Sequence, residues 1–197
     1  MERAMNLARR LCQMGLWFGG ALVLLAALLI GVDVVLRKFF QMSIGGADEI
    51  AGYGLALGTS WGLGATLLDR AHIRIDSLYV VFPRWLRLTL DLVGLALFLG
   101  FFGLVALRGW DVVELSWISS SRSHTALETP TVIPQFLWVA GFAILLAAGI
   151  LLIVQAVLLM ARGEYGAATR VISTRSAAEE VEDEIRFIKE REAEGGR

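Results

Sequence analysis

The sequence predicts an all-α integral membrane protein: four transmembrane helices, both termini cytoplasmic, interfacial amphipathic segments and a short soluble C-terminal helix. Three observations predict it. Apolar residues make up 56% of the 197 and charged residues 19%, against about 45–50% and about 25% in an ordinary soluble domain. The apolar residues gather into charge-free blocks at 14–32, 50–68, 92–107 and 129–161, and about 20 such residues cross the ~30 Å hydrocarbon core as a helix. Runs such as Ala21 to Ile30 also lack the period-two alternation of a barrel strand, which leaves the helix as the form that satisfies its own backbone in lipid. A soluble globular domain is excluded. So is a disulfide scaffold, because Cys12 is the single cysteine. A net charge of −1 with no basic stripe argues against a nucleic-acid partner.

Helix 1 is expected at about 14–36, helix 2 at 49–68, helix 3 at 86–107 and helix 4 at 133–160. Helix 1 is too long for a signal-peptide core and is followed by Asp33, Arg37 and Lys38 rather than a cleavage site, so it reads as a retained anchor. Helix 3 opens with Arg87 and Asp91 at i, i+4, a spacing that suits a membrane surface. Beyond Leu107, a polar row of Arg108, Asp111 and Glu114 opposes Trp110, Val113 and Trp117, so the helix continues as an amphipathic segment. Ser116 to Thr125 reads as a loop. Ile73 to Trp85 is too apolar for a free loop and is expected on the cytoplasmic surface or against a partner.

Basic residues set the orientation. Arg3, Arg9, Arg10, Arg70, Arg74, Arg84, Arg87, Arg162, Arg170 and Arg175 flank one side of the spans, against Arg37, Lys38, Arg108 and Arg122 on the other. The richer side is cytoplasmic. Residues 1–13 then form a cytoplasmic N-terminus, 14–160 the membrane domain and 161–197 a cytoplasmic tail. In the tail, Ser176-Ala-Ala-Glu179 is a capping-box pattern, with Val181, Ile185 and Ile188 following at helical spacing, so a charged helix is expected at about 176–194.

The chemistry is sparse. His72 and His124 fall outside the spans on opposite sides, so they cannot face one another as haem ligands. A zinc site needs more nitrogen or sulfur ligands than the chain carries. We therefore expect no catalytic residue, no metal and no cofactor. The span interiors hold no ionisable group, and all three prolines fall at or outside span ends, so the chain alone offers no ion or solute pathway. Asp33 and Arg37 are spaced for an ion pair at the end of helix 1. Asp48 and Glu49 open helix 2, where carboxylates favour the helix N-terminus.

The spans also carry packing signals. Gly54, Gly58 and Gly62 form a small-residue ridge on helix 2, and Gly15 and Gly19 form another on helix 1. Such ridges let backbones approach closely where lipid removes the hydrophobic drive for association. Two uses are open: the ridges face one another, or one faces another protein.

Taken in order, these segments resemble the small membrane subunit, Q-type or DctQ-like, of tripartite ATP-independent periplasmic (TRAP) transporters. The resemblance runs through Val34-Val-Leu-Arg37 closing helix 1 and Ala47-Asp-Glu-Ile50 opening helix 2. It continues in Leu68-Asp-Arg-Ala-His-Ile-Arg-Ile-Asp76 and Ala126-Leu-Glu-Thr-Pro130, and covers roughly 14–160. Phe39 stands where an aromatic, often Tyr, follows the Arg; the acidic tail lies outside the family pattern. The resemblance marks Arg37, Asp48, Glu49, Arg70, His72, Asp76 and Pro130 as family-motif or partner-interface positions. It implies a scaffolding subunit, not an enzyme, in a bacterial inner membrane. Its partners would be a large multi-span permease and a periplasmic solute-binding protein, importing an organic acid on an ion gradient. A membrane anchor of a respiratory complex is the competing reading, and it requires intramembrane histidines that the spans lack. A self-sufficient channel would need polar residues along one span face, and Thr59, Ser60 and Thr66 are few.

Overall fold

The computed structural model describes residues 2–69 and 82–172, with three further helical positions at 185, 188 and 191. Five helices account for the fold of the described residues: α1 (Glu2–Phe40), α2 (Ala47–Leu68), α3 (Arg84–Ile118), α4 (Val132–Ala161) and α5 (Tyr165–Ile172). Three of them, α1, α3 and α4, are long and apolar enough to cross a membrane. The predicted second span exists as the 22-residue helix α2 but is not among those three. Its glycines, with Thr59, Ser60 and Thr66, dilute its apolar content.

α1, α2 and α3 are longer than their charge-free blocks, whereas α4 lies within its own. α1 has 39 residues and measures about 58 Å at 1.5 Å per residue. It starts well before position 14 because the N-terminal segment is itself built of helix formers and contributes to the core. Cys12 is fully buried, packed near Gly64 of α2 and Leu145 of α4. Further along the chain, α3 runs as one 35-residue helix from Arg84 to Ile118, so the amphipathic segment does continue the span. The expected loop therefore opens three residues later, at Ser119, and Ser116 is buried in the helix.

α4 organises the bundle. It packs against α1, α2, α3 and α5, and lies between α2 and α3. Its buried positions Gly141, Phe142, Leu145, Ala148, Gly149, Leu152 and Ala156 recur every three or four residues, the spacing of a single helix face. Leu99 of α3 and Ala65, Leu67 and Leu68 of α2 close the core around Leu145. Phe98, Phe102, Trp138 and Phe142 form a chain of ring contacts with centroids 4.7–5.5 Å apart. Trp61 crosses from α2 to α4, donating its indole N–H to the Leu137 carbonyl at 2.9 Å. An indole donor in an apolar interior needs such an acceptor.

Both long C-terminal ends close by the same device. α3 ends with Ser120 N–H on the Trp117 carbonyl and Ser121 N–H on the Ser116 carbonyl. α4 ends with Gly163 and Glu164 bonded in the same way to Met160 and Leu159. This paired closure needs a left-handed residue after the cap. Gly163 supplies it with φ +79, whereas α3 uses Ser120 at φ +49, a conformation that favours glycine. Gly163 then turns the chain so that α5 folds back on α4 and α3, with Ala168 fully buried. The sequence reading placed this stretch in the tail and missed the helix. Positions 185, 188 and 191 are helical, with Ile185 and Ile188 exposed; the rest of the expected 176–194 helix lies outside the described residues.

Candidate functional site

The glycine ridges meet each other. A Cβ on Gly19 would stand 2.7 Å from the Gly58 carbonyl oxygen, and one on Gly58 would stand 2.9 Å from the Gly19 oxygen. Gly15 faces the Trp61 carbonyl at 2.9 Å, and Gly54 faces the Leu22 carbonyl at 3.1 Å. Gly62 sits looser, 3.8 Å from Leu16. The α1–α2 seam is thus backbone against backbone, which only residues without a side chain allow. Gly141 of α4 also lies close to α2, against the Ser60 hydroxyl, the Trp61 ring and the Ser60 backbone.

At one end of that seam, the predicted polar residues come together. Asp33 is 2% exposed although it lies near the end of α1. The expected pair with Arg37 is present, Nε to Oδ2 at 2.6 Å, but it is half of the arrangement. The other oxygen accepts the Ile44 backbone N–H at 2.6 Å and the Ser43 hydroxyl at 3.1 Å. A carboxylate buried with three donors is satisfied, and it ties the turn 41–46 back onto α1. Arg37 also reaches Asp48 at 3.5 Å. Both of those side chains are more than half exposed, so that second pair contributes little.

Asp48 and Glu49 lie in the first turn of α2, as the sequence predicts, but Glu49 does more than face the helix dipole. The N-cap of α2 is Gly46, at φ +86, and no side chain caps the helix. Glu49 instead accepts hydrogen bonds from Tyr53 at 2.8 Å and Ser123 at 2.9 Å, and from the Thr125 hydroxyl. A carboxylate at the start of α2 therefore holds the α3–α4 connection. That connection is a small hairpin: Ser123 N–H bonds the Thr129 carbonyl, Thr131 N–H bonds the Ser121 carbonyl, and Arg122 pairs with Pro130. Its tip rests on the α1–α2 turn, with Leu127 over Gly46 and Ala126 over Gly45. A side chain at Gly46 would collide with Leu127 at 2.5 Å, and its φ already favours glycine.

Arg37, Asp48, Glu49 and Pro130 thus belong to one polar end of the bundle. Arg70, His72 and Asp76 lie outside the described residues, as does most of the apolar 73–85 segment. Asp33, Ser43, Tyr53, Ser123 and Thr125 were not singled out by sequence as one group. The available signal was a Ser- and Thr-rich loop facing an acidic helix start. Among the described residues, no three of His, Cys, Asp and Glu converge as a metal site would require.

A family model for tripartite ATP-independent periplasmic transporters, DctQ component, matches residues 26–159. The chain belongs to the DctQ family. The match runs from the second half of α1 through nearly all of α4, so it contains the carboxylate-held turns and the α2 side of the glycine seam, while Gly15 and Gly19 precede it and α5 and the tail follow it. DctQ proteins are the small permease components of TRAP transporters, a transporter family and not an enzyme family. No curated protein and no solved structure matches the chain.

Proposed function

We propose that this DctQ protein is the small permease subunit of a TRAP transporter. In this role it widens and anchors the scaffold of a large multi-span permease subunit. The complex would import an organic acid handed over by a periplasmic solute-binding protein, driven by an ion gradient, with Na⁺ as the coupling ion. In this reading α1, α2, α3 and α4 all cross the inner membrane, and both termini are cytoplasmic. The polar end formed by Asp33, Arg37, Glu49 and the α3–α4 hairpin then faces the periplasm, and α5 faces the cytoplasm.

The family match over the bundle carries this reading. The distribution of charge supports it. The buried carboxylates Asp33 and Asp91 both have partners within the chain, which gives no ion-conducting row among the described residues. The outward faces of α1 and α3 are apolar instead, with Met14, Trp17, Leu24 and Leu28 on one and Leu97, Phe101 and Leu104 on the other. Such faces suit lipid or another membrane subunit.

Co-expression with a large TRAP permease subunit tests the proposal. The chain should co-purify with the permease in mild detergent, and proteoliposomes should take up an organic acid only when both subunits and the binding protein are present. Sodium-dependent uptake by this chain alone would refute the scaffolding role.

A further inference from the structure

A cleft of about 390 Å³ opens between the C-terminal end of α3 and the start of α4. Ser116, Trp117, Ser120, Ser121, Arg122 and Val132 line it. It lies beside the Glu49-held contacts but uses different side chains. We propose that this cleft binds the phosphodiester headgroup of a membrane phospholipid. The proposal needs the helices to stand in a bilayer and does not depend on a TRAP partner.

The polar half of the cleft suits a phosphate. Arg122 gives one nitrogen to the Glu128 carbonyl at 3.2 Å. That contact holds the guanidinium against the hairpin at the edge of the cleft that Arg122 lines, and leaves its other nitrogens to bond a ligand. A planar guanidinium matches two phosphate oxygens at once. The left-handed turn at Ser120, φ +49, brings Ser120 and Ser121 to the same wall as Arg122.

The apolar half suits a lipid. Trp117 is 73% exposed at the end of a membrane-length helix, where the headgroup region accommodates an indole. Two helical turns back on the same face of α3 lies Trp110, whose ring stands 6.5 Å from that of Phe136 on α4. Ile133 is exposed on the first turn of α4 above Phe136. An acyl chain descending from the cleft would follow Ile133 and the Trp110–Phe136 pair. Free phosphate would use only the first half of this arrangement; a phospholipid uses both.

The test is native mass spectrometry of the delipidated full chain in mild detergent. Three probes are added in turn: phosphatidylglycerol, a diacylglycerol with the same acyl chains, and inorganic phosphate. The expected result is retention of phosphatidylglycerol about tenfold above diacylglycerol. Arg122→Gln and Ser120→Asp should each lower that retention about tenfold, by removing or opposing the charge. Ser120→Asp guards against a loosened hairpin in the Arg122 variant, because Asp tolerates the left-handed conformation. Arg108→Gln removes an exposed guanidinium paired with Asp111 on α3 and should bind as wild type. Equal retention of the two lipids, or wild-type retention in both cleft variants, would overturn the proposal. Saturable binding of inorganic phosphate without preference between the lipids would overturn the lipid assignment.

Discussion

Gly19 and Gly20 are neighbours on α1 with opposite surroundings, and that contrast makes a controlled experiment. A methyl group on Gly19 would stand 2.7 Å from the Gly58 carbonyl oxygen and 3.0 Å from its Cα, whereas one on Gly20 meets nothing within 4 Å. Backbone atoms cannot swing aside as a side-chain terminus can, so Gly19→Ala forces α1 and α2 apart. Overpacking of this kind costs about 1–3 kcal/mol. Both substitutions gain about 1 kcal/mol of helix propensity, so this gain cancels in the comparison. Gly19→Ala should therefore lie about 1–3 kcal/mol below Gly20→Ala. At about 2–4 °C per kcal/mol for a chain of this size, the two thermal midpoints should differ by about 2–12 °C. Intrinsic tryptophan fluorescence in mild detergent reads the transition, because Trp61 lies in the same seam, 5.5 Å from the Phe18 ring. Equal midpoints would refute the close-packed seam. A normal midpoint with loss of the large subunit would turn the ridge outwards, towards the partner.

Gly58→Leu follows the same logic at larger scale: its branches would meet Val23 and the Gly19 backbone, so folded yield should collapse with or without a permease. Stable accumulation at wild-type yield would contradict that. Glu49→Gln keeps the shape of the side chain but weakens the bonds from Tyr53, Ser123 and Thr125. Hydrogen exchange at the Ser123, Leu127 and Thr129 amides should then rise about tenfold, the equivalent of about 1.4 kcal/mol; unchanged protection would remove Glu49 from its holding role. On a Cys12→Ala background, an impermeant thiol reagent applied outside should label cysteines placed at Met42 or Ala126 and miss one at Ile185. The reverse pattern would invert the proposed orientation.

The helical core was legible because its signal is blunt: charge-free runs long enough to span lipid have one backbone solution. Helix ends were less legible. Cys12 lies before the first charge-free block, among arginines, yet it is buried because α1 continues in register and brings it against Gly64. α5 was hidden in a stretch that composition assigns to the tail; Gly163 two residues after α4 was the available sign of a turn. Polar residues were the hardest to place. Asp33 reads as an i, i+4 partner of Arg37, which is true and incomplete, because its backbone partner Ile44 is defined only once the chain has turned. Glu49 reads as a helix-start acid, and its Ser123 partner lies 74 positions away, beyond the reach of any local pattern. The mutual packing of the two glycine ridges was one of two open readings, and spacing alone carries no information on the facing surface.

The composition of α2 has a consequence for biogenesis. The glycines that let α2 approach α1 also remove the bulky side chains that would draw a 22-residue segment into a bilayer on its own. α1, by contrast, has the apolar content to partition unaided. If α2 crosses the membrane, it is best inserted together with α1, as a helical hairpin whose bend Asp33 locks through Ser43 and Ile44. During synthesis, then, the second crossing would depend on the first being retained beside the insertion machinery until the turn has closed.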